Sequence, residues 1–174
     1  MTPTETRSGA DERGALAGFL DYQRGLVQWK CAGLTDDGAA YAPLKTSPLT
    51  TIGGLVNHLR WVEYDWFEHI LLDRPDTGPW TDEEPDREFT IGAQGPIAQM
   101  LAEYDAQCAR SRRIIAERDL DTLSKLTDEA GEPFTLRWIV AHMIEETARH
   151  LGHIDLLREQ WDGVTGYRPD TPPQ

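Results

Sequence analysis

Three of the chain's five histidines fall in one run, Thr135–Trp161, with a carboxylate among them. His142, Glu146, His150 and His153 follow one another at intervals of four, four and three residues. On an α-helix this spacing stacks successive members along one side. Imidazole nitrogens and carboxylate oxygens are ligands for divalent ions, so the run has the composition of half a metal site. A helical wheel at about 100° per residue sorts the four. The apolar arc, centred near Met143, Leu136 and Ile154, takes in His150 and has Glu146 at its edge. His153 and His142 lie progressively further out. An ionised Glu at the rim of a core is costly unless it is paired or metal-bound. Glu146 and His150 are therefore the better ligand pair, and His153 and His142 are outer-sphere or alternative ligands. The plainer reading is a helix with a wet polar edge whose histidines only make hydrogen bonds.

These side chains need a scaffold, and the hydrophobic spacing predicts one. Leu136, Ile139, Val140, Met143, Ile144, Thr147, Leu151, Ile154 and Trp161 form the stripe of a long amphipathic helix capped by Thr135. Asp11 can cap a first helix running to about Ala32, with Gly33 as its stop. A second helix opens at Thr50 or Thr51 and ends near Leu72, with Ile52, Leu55, Val56, Leu59, Val62, Trp66 and Ile70 buried. A third starts around Gly95-Pro96 and reaches about Glu117. Between the second and third, residues 73–93 are acidic and broken by Pro75, Pro79 and Pro85. A connection of that length is usually functional or mobile. Trp80 within it is a lid residue or, more commonly for a Trp, a cover for a core edge. With no strand pattern, the expectation is an all-α fold, a four-helix bundle with long crossover connections. Residues 11–165 would form a single domain between a flexible start, 1–10, and a flexible tail, 166–174.

His58 flanks the buried stripe of the second helix and can point across the bundle. If the second and last helices are neighbours, His58 meets Glu146 and His150. Two imidazoles and a carboxylate match zinc hydrolase sites, which leave a fourth position open, and the facial triad of non-haem iron enzymes. His69 flanks the same stripe and is the alternative third ligand. Arg149 projects from another side of the last helix and reads as an ion-pair partner. Tyr22, Tyr104 and Trp138 read as packing residues.

Composition narrows the function. The chain has 174 residues, 39% of them hydrophobic, and a net charge of -13. Phosphate neutralisation needs a basic surface, so the charge argues against a general nucleic-acid binder and equally against anionic membranes. No apolar run approaches the roughly 20 residues of a membrane span. The opening residues lack an apolar signal region, so a cytoplasmic protein is expected. Cys31 and Cys108 lie far apart, form no CxxC pair, and read as buried thiols.

The run E-E-T-A-R-H-L-G-H-I-D-L-L-R-E, with N-H-L-R-W-V-E about ninety positions upstream, resembles the DinB/YfiT-like superfamily. The likeness spans roughly residues 10–165 and is strongest to the actinobacterial branch related to mycothiol-dependent maleylpyruvate isomerases. The resemblance implies a four-helix bundle, often dimeric, with three ligands on one divalent metal. Carried over, the second-helix ligand is His58 and the last-helix pair is Glu146 and His150. His153 stands where many relatives carry Gln, which implies an outer-sphere role.

Two function classes follow. The resemblance implies a transferase or isomerase in which a low-molecular-weight thiol of the mycothiol type attacks an electrophilic substrate. The other class is a non-catalytic metal- or ligand-binding bundle of stress-response type. An open coordination position favours the first, and a shell closed by His153 or His142 favours the second. A facial-triad oxygenase is a weaker third reading. Spacing leaves Zn, Ni, Fe and Mn equally suited.

Overall fold

Asp11 accepts a hydrogen bond from the Gly14 amide and starts α1, Glu12–Lys30. Thr51 caps α3, Ile52–Tyr64, through the Gly54 amide, and Thr135 caps α6, Leu136–Asp162, through the Trp138 amide. Each cap satisfies one of the amides that a helix start leaves without an internal partner. α5, Ile97–Glu117, begins one residue after Pro96. These four long helices are the ones that the hydrophobic spacing predicts. The computed structural model describes residues 9–166, and the flexible ends expected from the sequence fall almost wholly outside them.

Ion pairs and ring contacts give the helix directions. Glu12 pairs with Arg137 and Lys30 with Asp155, so α1 and α6 run parallel. Arg60 pairs with Glu103 and Glu68 with Arg110, so α3 and α5 run parallel. His58 meets Glu146 while Trp66 packs on Trp138, so α3 and α6 are antiparallel. The first and last connections therefore join neighbouring ends, and the second must run the length of the bundle to reach the start of α5. One core cluster holds Leu26, Val27, Leu55, Val56, Leu59, Met100, Tyr104, Ile154 and Leu157. The other, towards the start of α6, holds Leu20, Phe67, Leu71, Ile114, Ile115, Leu136, Ile139 and Met143.

Four features depart from the sequence reading. The first connection contains a single turn, α2, Asp36–Ala39. The second helix changes at Asp65–Ile70 into a π-helical segment, with the Leu71 amide donating to the Trp66 carbonyl. Its wider turns advance fewer degrees per residue than an α-helix, so side chains beyond Asp65 leave the α-helical phase. The proline-rich stretch is not wholly loop: α4, Arg87–Gln94, lies within it. Finally, the link between α5 and α6 is a short antiparallel hairpin, β1 Leu123–Thr127 and β2 Pro133–Thr135. Gly131 takes φ +83° in its turn, a conformation suited to glycine. These strands are too short and too exposed to leave an alternating apolar pattern.

The second connection lies as a strap along α3. The Tyr64 hydroxyl donates to the Pro75 carbonyl at 2.6 Å, and Trp80 packs edge-on against Trp61 with centroids 5.9 Å apart. The Asn57 side-chain amide donates to the Glu88 carbonyl at 2.7 Å. At Gly53 and Gly92 the backbones touch: a Cβ on Gly53 would stand 2.2 Å from the Gly92 carbonyl oxygen. The strap thus descends α3 residue by residue towards its start. Trp80 packs on Trp61, a half-buried residue of α3 that belongs to neither core cluster, so it covers a side of α3 and not a core edge.

Candidate functional site

α3 and α6 bring His58, Glu146 and His150 together at their crossing. Glu146 Oε1 lies 3.2 Å from His58 Nε2 and 3.0 Å from His150 Nε2. One donor atom from each residue falls within 4.8 Å of the other two, a grouping that could hold a metal ion. The His58 and His150 rings meet edge to face, with centroids 4.8 Å apart. The three side chains keep 18%, 17% and 15% of their surface exposed, so the donors are sheltered but reachable from solvent. Hydrogen bonds from His150, then from His58, hold the Glu146 carboxyl well below the usual carboxylate range, against the opposing effect of burial. The triad therefore presents an ionised carboxylate between two ring nitrogens.

The remaining sequence candidates stand apart from this group. His153 is exposed, and its Nδ1 is 3.4 Å from His150 Nδ1, on the far side of that ring from Glu146. Partial burial, then the His150 and Arg149 charges, lower its pKa. His142 stacks on Trp138, with centroids 5.1 Å apart, and meets Trp66 edge-on. His69 lies in the π-helical segment with Nδ1 2.7 Å from the Arg74 carbonyl oxygen. On an unbroken α-helix it would project almost beside His58; the π segment turns it away. Among the described residues no fourth His, Cys, Asp or Glu joins the three donors. Arg149 pairs with Glu145 at 2.7 Å within its own helix, as its place on the helix predicts.

Two residues at the site have no counterpart in the sequence reading. Phe89 of α4 stacks on the His58 ring at 4.6 Å and 18°. Glu88, also on α4, places Oε1 3.5 Å from His58 Nδ1. Neither belongs to a periodic pattern, and both reach His58 only because the strap docks on α3.

Cys31 and Cys108 are free and buried. Burial pushes the Cys31 thiol up to about 12 and raises Cys108 further still. Neither thiol is a nucleophile at neutral pH.

The model of the mycothiol S-transferase family matches residues 15–163. The chain belongs to this family. It is thereby a member of the DinB/YfiT-like superfamily, as the sequence resemblance implies, and the mostly helical fold is consistent with that. The match takes in most of α1, all of the other three long helices, both halves of the triad and the strap between them. A search of curated proteins returned no match. No helix among the described residues is long and apolar enough to cross a membrane.

Proposed function

We propose that this family member is a divalent-metal-dependent transferase or isomerase that joins a low-molecular-weight thiol of the mycothiol type to an electrophilic small molecule. His58, Glu146 and His150 are its metal ligands in this reading. The carrying observation is the donor triad gathered within 4.8 Å in a mycothiol S-transferase family chain.

The donor set fits such an ion. Two ring nitrogens and one ionised carboxylate suit borderline divalent metals, and three protein ligands leave a position for a thiol. A divalent ion there lowers the pKa of a coordinated thiol, so that the nucleophile exists at neutral pH. His58 and His150 present Nε2 to the site, and Glu146 supplies the negative charge. The chain's own cysteines are buried and held as thiols, so the reacting sulfur comes from a co-substrate. In a substitution a carbon–sulfur bond forms, the leaving group departs with the bonding electron pair and the thiol proton passes to solvent; in an addition the multiple bond opens as the carbon–sulfur bond forms, and the neighbouring carbon takes up a proton in place of the one the thiol lost. His153, against the far nitrogen of His150, orients that ring. A co-substrate of this kind implies a cytoplasmic enzyme, and the superfamily resemblance implies a homodimer.

The test begins with elemental analysis of purified protein beside His58→Ala and Glu146→Ala. About one divalent ion per chain is expected, and its loss in both variants, since each removes one of three ligands. Metal-loaded protein is then assayed for thioether formation from mycothiol and an alkylating electrophile. Turnover that requires both metal and thiol supports the reading. Bound metal without thiol-dependent turnover refutes the enzyme and leaves a metal-binding bundle.

A further inference from the structure

Among the described residues three carboxylates are deeply buried, and two of them are neutralised by cations. Glu63 accepts from two of the three Arg24 nitrogens, Nε at 2.7 Å and Nη2 at 2.6 Å. Glu68 is held by Gln107, Arg110 and Arg74. Glu88 is different. It is 7% exposed, its Oε2 is buried with no hydrogen-bond partner, and His58 is its one ion-pairing neighbour among the described residues. A buried carboxylate with no cation is costly, so its position needs a reason beyond packing.

The ring of His58 supplies one. Its Nε2 faces Glu146 and its Nδ1 faces Glu88, on opposite edges of the imidazole. Phe89 lies flat on the same ring. We propose that Glu88 is the positioning residue for His58: when a metal ion takes the place of the Nε2 proton that faces Glu146, Glu88 Oε1, 3.5 Å from Nδ1, accepts the Nδ1 proton and holds the tautomer in which Nε2 ligates. An imidazole bound to a cation through one nitrogen is a stronger donor at the other. Carboxylates in that role hold ring orientation and raise ligand basicity. The strap that carries Glu88 is pinned for this purpose at the Asn57 amide and at the Gly53–Gly92 contact. The inference rests on His58 being a metal ligand, as argued above.

The experiment measures zinc affinity by competition with a chromophoric chelator in wild type, Glu88→Gln, Glu88→Ala, His58→Ala and Glu84→Gln. Glu84 is an exposed acidic residue of the same strap, and its substitution removes the same unit of charge. Glu88→Ala is expected to weaken zinc binding by about 10–100-fold, as for other outer-sphere partners. Glu88→Gln, which keeps a neutral acceptor, falls between it and wild type, and Glu84→Gln leaves affinity unchanged. Nitrogen-15 spectra of zinc-loaded wild type read the tautomer directly and need no variant to fold. They are expected to show a slowly exchanging His58 Nδ1 proton. A Glu88→Ala protein that binds zinc as tightly as wild type overturns the inference, as does zinc-loaded wild type in which His58 is protonated at Nε2 and not at Nδ1. If wild type takes up no zinc, or His58→Ala binds it undiminished, the metal reading itself fails and the inference with it.

Discussion

Removing Glu146 affects the metal-free and metal-loaded proteins differently, and the two effects have separable sizes. In Glu146→Ala the His58 and His150 Nε2 atoms lose an acceptor at 3.2 and 3.0 Å. A hydrogen bond to a charged group contributes about 1.5–3 kcal/mol. The Glu146 side chain keeps 17% of its surface exposed, and water replaces part of what is lost. A net cost of about 1–2 kcal/mol follows for the metal-free fold. At roughly 2–4 °C per kcal/mol for a chain of this size, the melting temperature falls by about 2–8 °C. Metal adds a second term that only wild type has. An ion present at 100 times its dissociation constant stabilises the folded state by about 2.7 kcal/mol. That corresponds to a rise of about 5–11 °C. The assay is a melt of chelator-treated protein, repeated with stepwise zinc. Wild type should climb with zinc, and Glu146→Ala should start slightly lower and stay flat. A variant that climbs as wild type does refutes the assignment of Glu146 as a ligand. Flat wild-type melts with zinc, nickel and manganese alike refute the metal site.

Other perturbations test the frame around the site. Glu63→Ala removes the carboxylate that takes two of the three buried Arg24 nitrogens and leaves only the half-exposed Asp21 as ion-pair partner, so a loss of about 3 kcal/mol is expected in urea unfolding; the double replacement Arg24→Met, Glu63→Leu should cost less. Burial would raise the Glu68 carboxyl, but hydrogen bonds from Gln107, Arg110 and Arg74 outweigh it and hold it below the usual range. Its folded-state pKa is depressed, so its contribution is present above the ordinary Glu value of about 4.3 and fades as pH falls through the lower folded value. Glu68→Gln should therefore be less stable than wild type at pH 7, with a flatter acid limb in stability measured against pH. The native protein should react with a thiol alkylator only slowly at neutral pH and gain two labels on unfolding, because Cys31 and Cys108 are buried; rapid native labelling would contradict their raised thiol pKa values. Gly92→Ala places a methyl against the Gly53 backbone, with 2.2 Å to its carbonyl oxygen. It should cost about 1–3 kcal/mol by overcrowding and also weaken zinc binding, although neither glycine is near enough to ligate.

The parts of the site legible in the sequence are those written in helical period. Glu146 and His150 are four residues apart on one helix, so the wheel alone places them together at the edge of the apolar arc. His58 was legible as a side chain flanking the buried stripe of a second helix, and its meeting with the pair required only that the two helices be neighbours. His69 looked equivalent by the same rule, because the rule assumes an unbroken α-helix. The segment Asp65–Ile70 is π-helical, and nothing in D-W-F-E-H-I announces the wider turn. Its phase change separates His69 from the site and also turns Glu68 inward to Gln107 and Arg110.

Glu88 was not legible, for a different reason. Helix α4 contains no apolar stripe, because a carboxylate and a glycine, Glu88 and Gly92, occupy its buried positions. Binary patterning cannot recognise an element whose inward face is a charge and a bare backbone. Their fit to α3 depends on Asn57 and Gly53, residues far earlier in the chain, and the Asn57–Glu88 hydrogen bond spans 31 positions. The topology makes that encounter necessary: α3 and α5 run the same way, so the chain between them must return along the bundle to the start of α3. That return path passes the one edge of His58 that α6 leaves uncovered. A connection that any sequence of sufficient length could have made thus becomes the third wall of the site, with Phe89 on the imidazole face and Glu88 on its Nδ1 edge.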